Sequence, residues 1–263
     1  MHISVSSLGF CGPDIYGMCA LAPELGIEIF CDWGGEGYWE RILPEIMRDR
    51  TGKFSIHAPF QGLALDMSLA DDEAAMYAFL KQPFRLYHTY EADFYVIHTN
   101  GPYADKPTAE QRAERLKRVE ERLARLNDIC TREGVNMLVE NLAFGHGKHT
   151  LCDQQDFLKL FENNPDLNCI VDTGHALLAN LDIFAIQQAL GSRLKAYHVH
   201  DNDGVADAHE RIATGQMDWK RFGEGARLYT PDAVHVMEYN RGVTASIEDY
   251  MEDARTLRTL CGG

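Results

Sequence analysis

The chain has 263 residues, with 25 Lys and Arg against 40 Asp and Glu, and a formal net charge of −15 when its eleven His are counted as neutral. Its 45% apolar, 10% aromatic and 25% charged residues are those of a soluble globular protein, neither disordered nor collagenous. The acidity disfavours a generic binder of nucleic acid, whose affinity comes largely from Lys and Arg on phosphates. No apolar run approaches the ~18 residues that span a bilayer, and the N-terminus lacks the features of a signal peptide, so the cytoplasm is the expected location. Seven Cys without C-x-x-C spacing fit reduced thiols rather than a disulfide framework or a Cys-based zinc site.

Short β-branched or apolar runs alternate with helical patterns from end to end. The strands are expected at 3–8, 26–31, 54–57, 94–98, 136–140, 168–172, 196–200 and 234–238. Pro13 and Asp71 are candidate helix starts, and Pro44 predicts a short or kinked second helix. Leu116, Val119, Leu123, Leu126 and Ile129 share one helix face ahead of a stop at Glu133-Gly134, and Ile247, Tyr250, Met251, Ala254 and Leu257 repeat the pattern near the end. The densest basic stretch, 112–125, interleaves its Arg with Glu114, Glu120 and Glu121 and reads as an ion-paired helix face. Eight strand-then-helix units of about 33 residues predict a single (β/α)8 TIM barrel over 1–263, with its active site at the C-terminal face of the strands. A doubly wound open sheet is the alternative. A dinucleotide site is disfavoured, because Gly9-Phe10-Cys11-Gly12-Pro13 lacks the G-x-G-x-x-G cradle.

Six consecutive strands each end in a side chain able to bind metal: His57, His98, Glu140, Asp172, His200 and Glu238, separated by 41, 42, 32, 28 and 38 residues. In a barrel these ends open on one face. Three acids and three imidazoles gathered there would be costly to bury unless a cation compensates them. His175, three residues after Asp172, and Asp207 with His209 on the loop after the seventh strand extend the set. His198, two residues before His200, reads as a hydrogen-bonded interior residue one layer deeper. His146 and His149 read as a loop at the mouth, and His2, His88 and His235 as structural or exposed.

The segments His57-Ala58-Pro59-Phe60, Val139-Glu140-Asn141, Val171-Asp172-Thr173-Gly174-His175, His198-Val199-His200-Asp201-Asn202-Asp203 and Val236-Met237-Glu238 together resemble the xylose-isomerase-like TIM-barrel superfamily. That group includes sugar phosphate isomerases and epimerases, ketose 3-epimerases, hydroxypyruvate isomerase and the endonuclease IV family of abasic-site nucleases. The resemblance implies that Glu140, Asp172, His200 and Glu238 hold one divalent metal, whether Mn, Co, Mg or Zn. It further implies that His57, His98, His175, Asp207 and His209 either bind substrate or, as in the nucleases, complete a site for three Zn. Departures from the nuclease pattern are Ala213, where that family favours Gly, and the near absence of basic residues, only Lys148, in the loops after strands one, two and five. The Arg that ketose 3-epimerases carry shortly after the seventh-strand His is missing, with Ala206 nearby.

These features lead to a metal-dependent isomerase or epimerase of a small sugar or sugar phosphate. Glu140 and Glu238 would exchange a proton with substrate through a metal-stabilised enediolate. Arg211 and Arg241 are candidate anion contacts, and Trp33, with Tyr38 and Trp39, a candidate lid over the sugar. The alternative is a trinuclear-zinc phosphodiesterase or abasic-site endonuclease. A non-catalytic barrel is disfavoured, because paired glutamates at an open mouth are not a closed structural site. Partners are expected to be a small carbohydrate and neither membrane nor long nucleic acid, with self-association open.

Overall fold

Strands buried on both faces need helices around them and no free edge, and a closed parallel barrel supplies both. The computed structural model describes residues 1–262 apart from 33, 36, 104, 147 and 244. Its strands are β1 (Ile3–Ser6), β2 (Gly26–Phe30), β3 (Phe54–His57), β4 (Phe94–Ile97), β5 (Met137–Glu140), β6 (Asn168–Asp172), β7 (Leu194–Val199) and β8 (Val234–Met237). They pair in parallel in chain order, and β8 returns to β1 with Ile3 opposite His235, which excludes the open sheet. β1 ends two residues earlier than expected, because the Ser6 hydroxyl accepts from the Leu8 N–H and turns the chain into a 3-10 segment.

The helices are α1 (Tyr38–Ile46), α2 (Glu73–Leu80), α3 (Phe84–Thr89), α4 (Ala109–Glu133), α5 (Gln154–Asn163), α6 (Thr173–Leu178), α7 (Ile183–Leu190), α8 (Trp219–Tyr229) and α9 (Ile247–Cys261). Pro13 opens a 3-10 segment (Gly12–Ala20) rather than an α-helix, and the cap of α2 is Asp72, one residue beyond Asp71. Pro44 lies within α1, which is short. α4 starts at a reciprocal Thr108–Gln111 capping box, worth about 1 kcal/mol. It buries Val119, Leu123, Leu126 and Cys130, and it stops where Gly134 takes a φ of 70°, a left-handed angle that glycine adopts without a Cβ penalty. No described helix is long and apolar enough to cross a membrane.

Side chains alternate along each strand, so the barrel interior can be followed residue by residue. In its lower layers it is apolar from β4 to β8, with Phe94, Val96, Leu138, Ile170, Ala196, Val234 and Val236 in one cluster. The inward positions of β1 to β3 are different: Ser4, Ser6, Glu28 and Ser55, all buried. A polar wedge therefore enters the barrel on one side and rises towards the strand ends.

Outward on β8, His235 is buried between the rings of Tyr197 and Phe222, at 5.1 and 5.9 Å, and neither ring nitrogen has a hydrogen-bond partner among the described residues. Burial pushes its pKa down to about 4 from the ordinary 6.5. Below pH 6.5 the unfolded chain accepts a proton that the folded chain refuses until about pH 4, so stability falls as pH drops through that window. Between pH 7 and pH 5 the loss from this group is about 2 kcal/mol. His235→Phe keeps a ring in the slot without a titrating group. Urea denaturation at the two pH values should show this variant losing about 2 kcal/mol less than the wild type, and an equal loss in both would refute the assignment.

Candidate active site

The parallel register sets the ends of β3 to β8 side by side: His57 lies opposite Val96, Ile97 opposite Val139, Glu140 opposite Ile170, Asp172 opposite His198 and Val199 opposite Met237. All nine candidate ligands meet on this face in four overlapping groups. In the first, His57 Nε2 and His98 Nε2 are 3.1 Å apart and stand 3.4 and 3.1 Å from Glu140 Oε2. His57 Nδ1 donates to the Ala58 carbonyl at 2.8 Å, which leaves Nε2 as the nitrogen facing its neighbours. In the second, His175 Nε2 is 3.3 Å from Asp207 Oδ2, and His209 Nε2 is 3.4 Å from Asp207 Oδ1. The third is the buried centre, where one donor atom each from Glu140, Asp172, His198 and Glu238 lies within 4.8 Å of the others. His200, expected in that quartet, instead groups with His209 and Glu238 while its Nε2 lies 2.9 Å from Asp172 Oδ2. His198 is the interior residue expected, and it also closes the quartet from below.

The segment Asp172-Thr173-Gly174-His175 builds much of this geometry. Asp172 ends β6 and caps α6, its Oδ1 accepting the His175 N–H at 2.6 Å. The Thr173 hydroxyl donates to the His200 carbonyl and accepts from the His200 N–H, at 2.7 and 3.0 Å. Gly174 is required there, because a Cβ would fall inside the His200 ring. The Asn141 side-chain carbonyl accepts from the Asp172 N–H at 2.8 Å and ties β5 to β6. The loop bearing Asp207 and His209 is pinned by Asp201, whose carboxylate accepts from the Asn202 and Met217 N–H groups and from Trp219 Nε1.

Four polar atoms of these groups are buried without a hydrogen-bond partner: Glu140 Oε2, Glu238 Oε1, Asp207 Oδ1 and His200 Nδ1. Each would cost about 1–3 kcal/mol if left so, and all four are donor types that divalent cations accept. The donor set thus fits one or more such ions. The charges are unevenly balanced. Burial alone would raise the Asp172 carboxyl, but His175 and His200 hold it at about 2. Glu140, equally buried, is held well below the carboxylate range by His198, His98 and His175. Burial pushes Glu238 up to about 8, and the attraction of His198 and His209 does not overcome it.

Seven of the candidate ligands, His57, His98, Glu140, His175, Asp207, His209 and Glu238, line a cavity of about 240 Å³ whose remaining wall is Leu8, Phe30, Phe60, Leu142, Phe144 and Asn240, with Phe30 stacked on His57 and Phe60 against His98. None of these wall residues was a sequence candidate, and neither was Glu28. Among the described residues no Lys or Arg lines the cavity. The expected anion contacts lie elsewhere. Arg211 makes a bidentate ion pair with Asp253, at 2.9 and 3.0 Å, and a further one with Asp249, both on α9. Arg241, half exposed, pairs with Asp14. Trp33 falls outside the described residues. In the 145–149 segment, the backbone of His149 bridges to Tyr103 and the His146 N–H donates to the Val205 carbonyl, while Phe144 reaches the cavity.

The sequence matches the family described as Xylose isomerase-like TIM barrel over residues 35–260. The chain belongs to that family. Among solved structures, a D-tagatose 3-epimerase-like protein superposes with a TM-score of 0.80 at 19% identity, covering 99% of this chain and 97% of that one. The D-psicose 3-epimerase of Clostridium cellulolyticum, solved with D-tagatose, gives 0.76 at 12% identity over 99% of both chains. The TTHB071 protein of Thermus thermophilus, from a crystal soaked in ZnCl2, gives 0.73 at 23% identity over 100% and 98%. At these identities the likeness is one of fold. No curated protein sequence matches significantly.

Two residues of the pinned loop sit in the left-handed region, His209 with a φ of 48° and Ala213 with 61°. A Cβ is disfavoured there by roughly 1 kcal/mol, which accounts physically for a preference for Gly at the second position. Ala213→Gly should therefore stabilise the folded chain by up to about 1 kcal/mol, less the extra entropy that glycine gives the unfolded state. Chemical denaturation measures it, and a clear loss of stability would contradict the strain.

Proposed function

We propose that this protein is a divalent-metal-dependent isomerase or epimerase of a small, uncharged carbohydrate. The observation that carries the proposal is the pair of buried glutamates, Glu140 and Glu238, which meet with Asp172 beside a cavity of about 240 Å³ and each keep an oxygen without a hydrogen-bond partner. Support comes also from the fold neighbours named as tagatose and psicose 3-epimerases. Glu140, Asp172, His200 and Glu238 would hold the cation. When bound it supplies positive charge that polarises a substrate carbonyl and acidifies the neighbouring C–H.

The rest falls to the chain's own groups. Glu140 and Glu238, both on the cavity, would exchange the proton with substrate, one taking it and the other returning it. His175 turns its ring towards Asp207 and the cavity and would position a substrate hydroxyl. Leu8, Phe30, Phe60, Leu142 and Phe144 would cover the C–H face of a sugar and keep water from the proton in transit. The absence of Lys and Arg from the described lining favours an uncharged sugar over its phosphate.

A second activity, phosphodiester hydrolysis at a polynuclear zinc site, is favoured by one observation: the outer groups His57–His98–Glu140 and His175–Asp207–His209 are each spaced to hold an ion of their own. Metal content separates the two. Near one ion per chain after reloading with Mn, Co, Mg or Zn supports the sugar enzyme, and near three Zn supports the hydrolase. With a panel of ketoses in D2O, the wild type should wash deuterium into the carbon beside the carbonyl. Glu140→Gln and Glu238→Gln should each cut that exchange by about 100-fold or more, and chelation should abolish it. Exchange that survives Glu238→Gln would remove the two-glutamate scheme.

A further inference from the structure

Glu28 has no place in the scheme above, yet it is the least expected side chain in the barrel. It lies in the middle of β2, 0% exposed, on the inward face of a strand that reads Gly-Ile-Glu-Ile-Phe. Burying a carboxylate is expensive, and replacing a buried ionic group by an apolar one of similar size is often neutral or stabilising. Packing therefore does not explain it. Both its oxygens are engaged: Ser55 Oγ donates to Oε2 at 2.9 Å, and His198 Nε2 donates to Oε1 at 2.8 Å. The other nitrogen of His198 lies 2.9 Å from Glu140 Oε1. A continuous buried chain, Ser55–Glu28–His198–Glu140, thus runs from the polar wedge of the interior to the floor of the site.

This chain determines which oxygen of Glu140 is free. A glutamate carboxylate turns easily about its last torsion. With Oε1 taken by His198, Oε2 is directed at His57 and His98 and is the atom left without a hydrogen-bond partner. We propose that Glu28 is a positioning residue, which anchors His198 so that Glu140 presents a fixed oxygen to the bound cation. The inference rests on the metal-dependent reading given above. It does not require Glu28 to touch substrate or metal, and it accounts for a carboxylate where an apolar residue would pack.

The test compares the full-length wild type with Glu28→Met, which keeps length but makes no hydrogen bond, and Glu28→Gln, whose amide can still accept from His198 and donate to the Ser55 hydroxyl. Affinity for Mn²⁺ and Zn²⁺ is measured by competition with a chromogenic chelator, alongside thermal denaturation. Glu28→Met should bind about 10- to 100-fold more weakly without a matching loss of melting temperature, and Glu28→Gln should restore most of the affinity. Wild-type affinity in folded Glu28→Met overturns the proposal while leaving the metal-dependent function intact. Equal weakening in Glu28→Gln and Glu28→Met also overturns it, because charge rather than anchoring would then be at work. If Glu28→Met does not fold, Ser55→Ala decides, with a several-fold loss expected and unchanged affinity counting against the anchor. A wild type that binds neither ion refutes the metal-dependent function and this inference together.

Discussion

Four carboxylates, those of Glu28, Glu140, Asp172 and Glu238, lie buried within a closed barrel, and the arrangement of the site follows from the need to compensate them. The effective cost of placing an ion in such an interior is several kcal/mol, recovered only with well-placed partners. His198 is the common partner. Its ring lies 2.8 Å from Glu28, 2.9 Å from Glu140, 3.6 Å from Glu238 and 3.9 Å from Asp172. The surrounding imidazoles do not complete the balance, and the oxygens of Glu140 and Glu238 that lack a hydrogen-bond partner mark where compensation falls short. A chain folded this way has a built-in demand for positive charge at the mouth of its barrel. A cation held there would stabilise the folded chain, as does any ligand that binds only the folded state.

The closed sheet turns this demand into a site. Because β8 pairs with β1, every strand delivers its last inward residue to the same ring, and residues from 57 to 238 become neighbours. This part was legible in the sequence, since position at the end of a strand, rather than any local motif, identifies each group. The helices were legible for a similar reason: Thr108 and Gly134 bracket α4 through local backbone chemistry that needs no tertiary information. Glu28 was not legible. An Ile-Glu-Ile run has the period of a strand with one face in water, and only the knowledge that β2 is buried on both faces turns its glutamate into an anomaly needing a partner. That partner, His198, stands 170 residues away.

Arg211 and Arg241 show the complementary failure. A cation on a loop after β7 or β8 is in the right region for an anionic substrate, but its destination depends on which carboxylates fold within reach. Arg211 meets Asp253, 42 residues downstream, in a two-pronged geometry that holds the guanidinium against α9. Arg241 meets Asp14 from the opposite end of the chain. With 40 acidic residues and only 25 basic ones, an arginine near the mouth of this protein is more readily captured by a neighbouring carboxylate than left for a ligand. The net charge thus acts on function by depriving the cavity of side-chain cations.

Without side-chain cations, the cavity offers a ligand two unlike kinds of surface. One is carboxylate and imidazole; the other is the apolar surface of Leu8, Phe30, Phe60, Leu142 and Phe144, with Phe30 stacked on His57 at 4.2 Å and Phe60 4.6 Å from His98. A sugar has the same duality, with hydroxyls at its edge and C–H groups on its face, so it can present hydroxyls to the one and carbon to the other. A phosphate has no apolar face to offer the second and would rely wholly on cations held at the first. For an extended polyanion the mismatch is larger, since contacts beyond the cavity would meet the remaining acidic surface, whose field opposes it at a distance. The same nine side chains could serve either chemistry, and the apolar side chains that line the cavity with them are the feature that favours the carbohydrate.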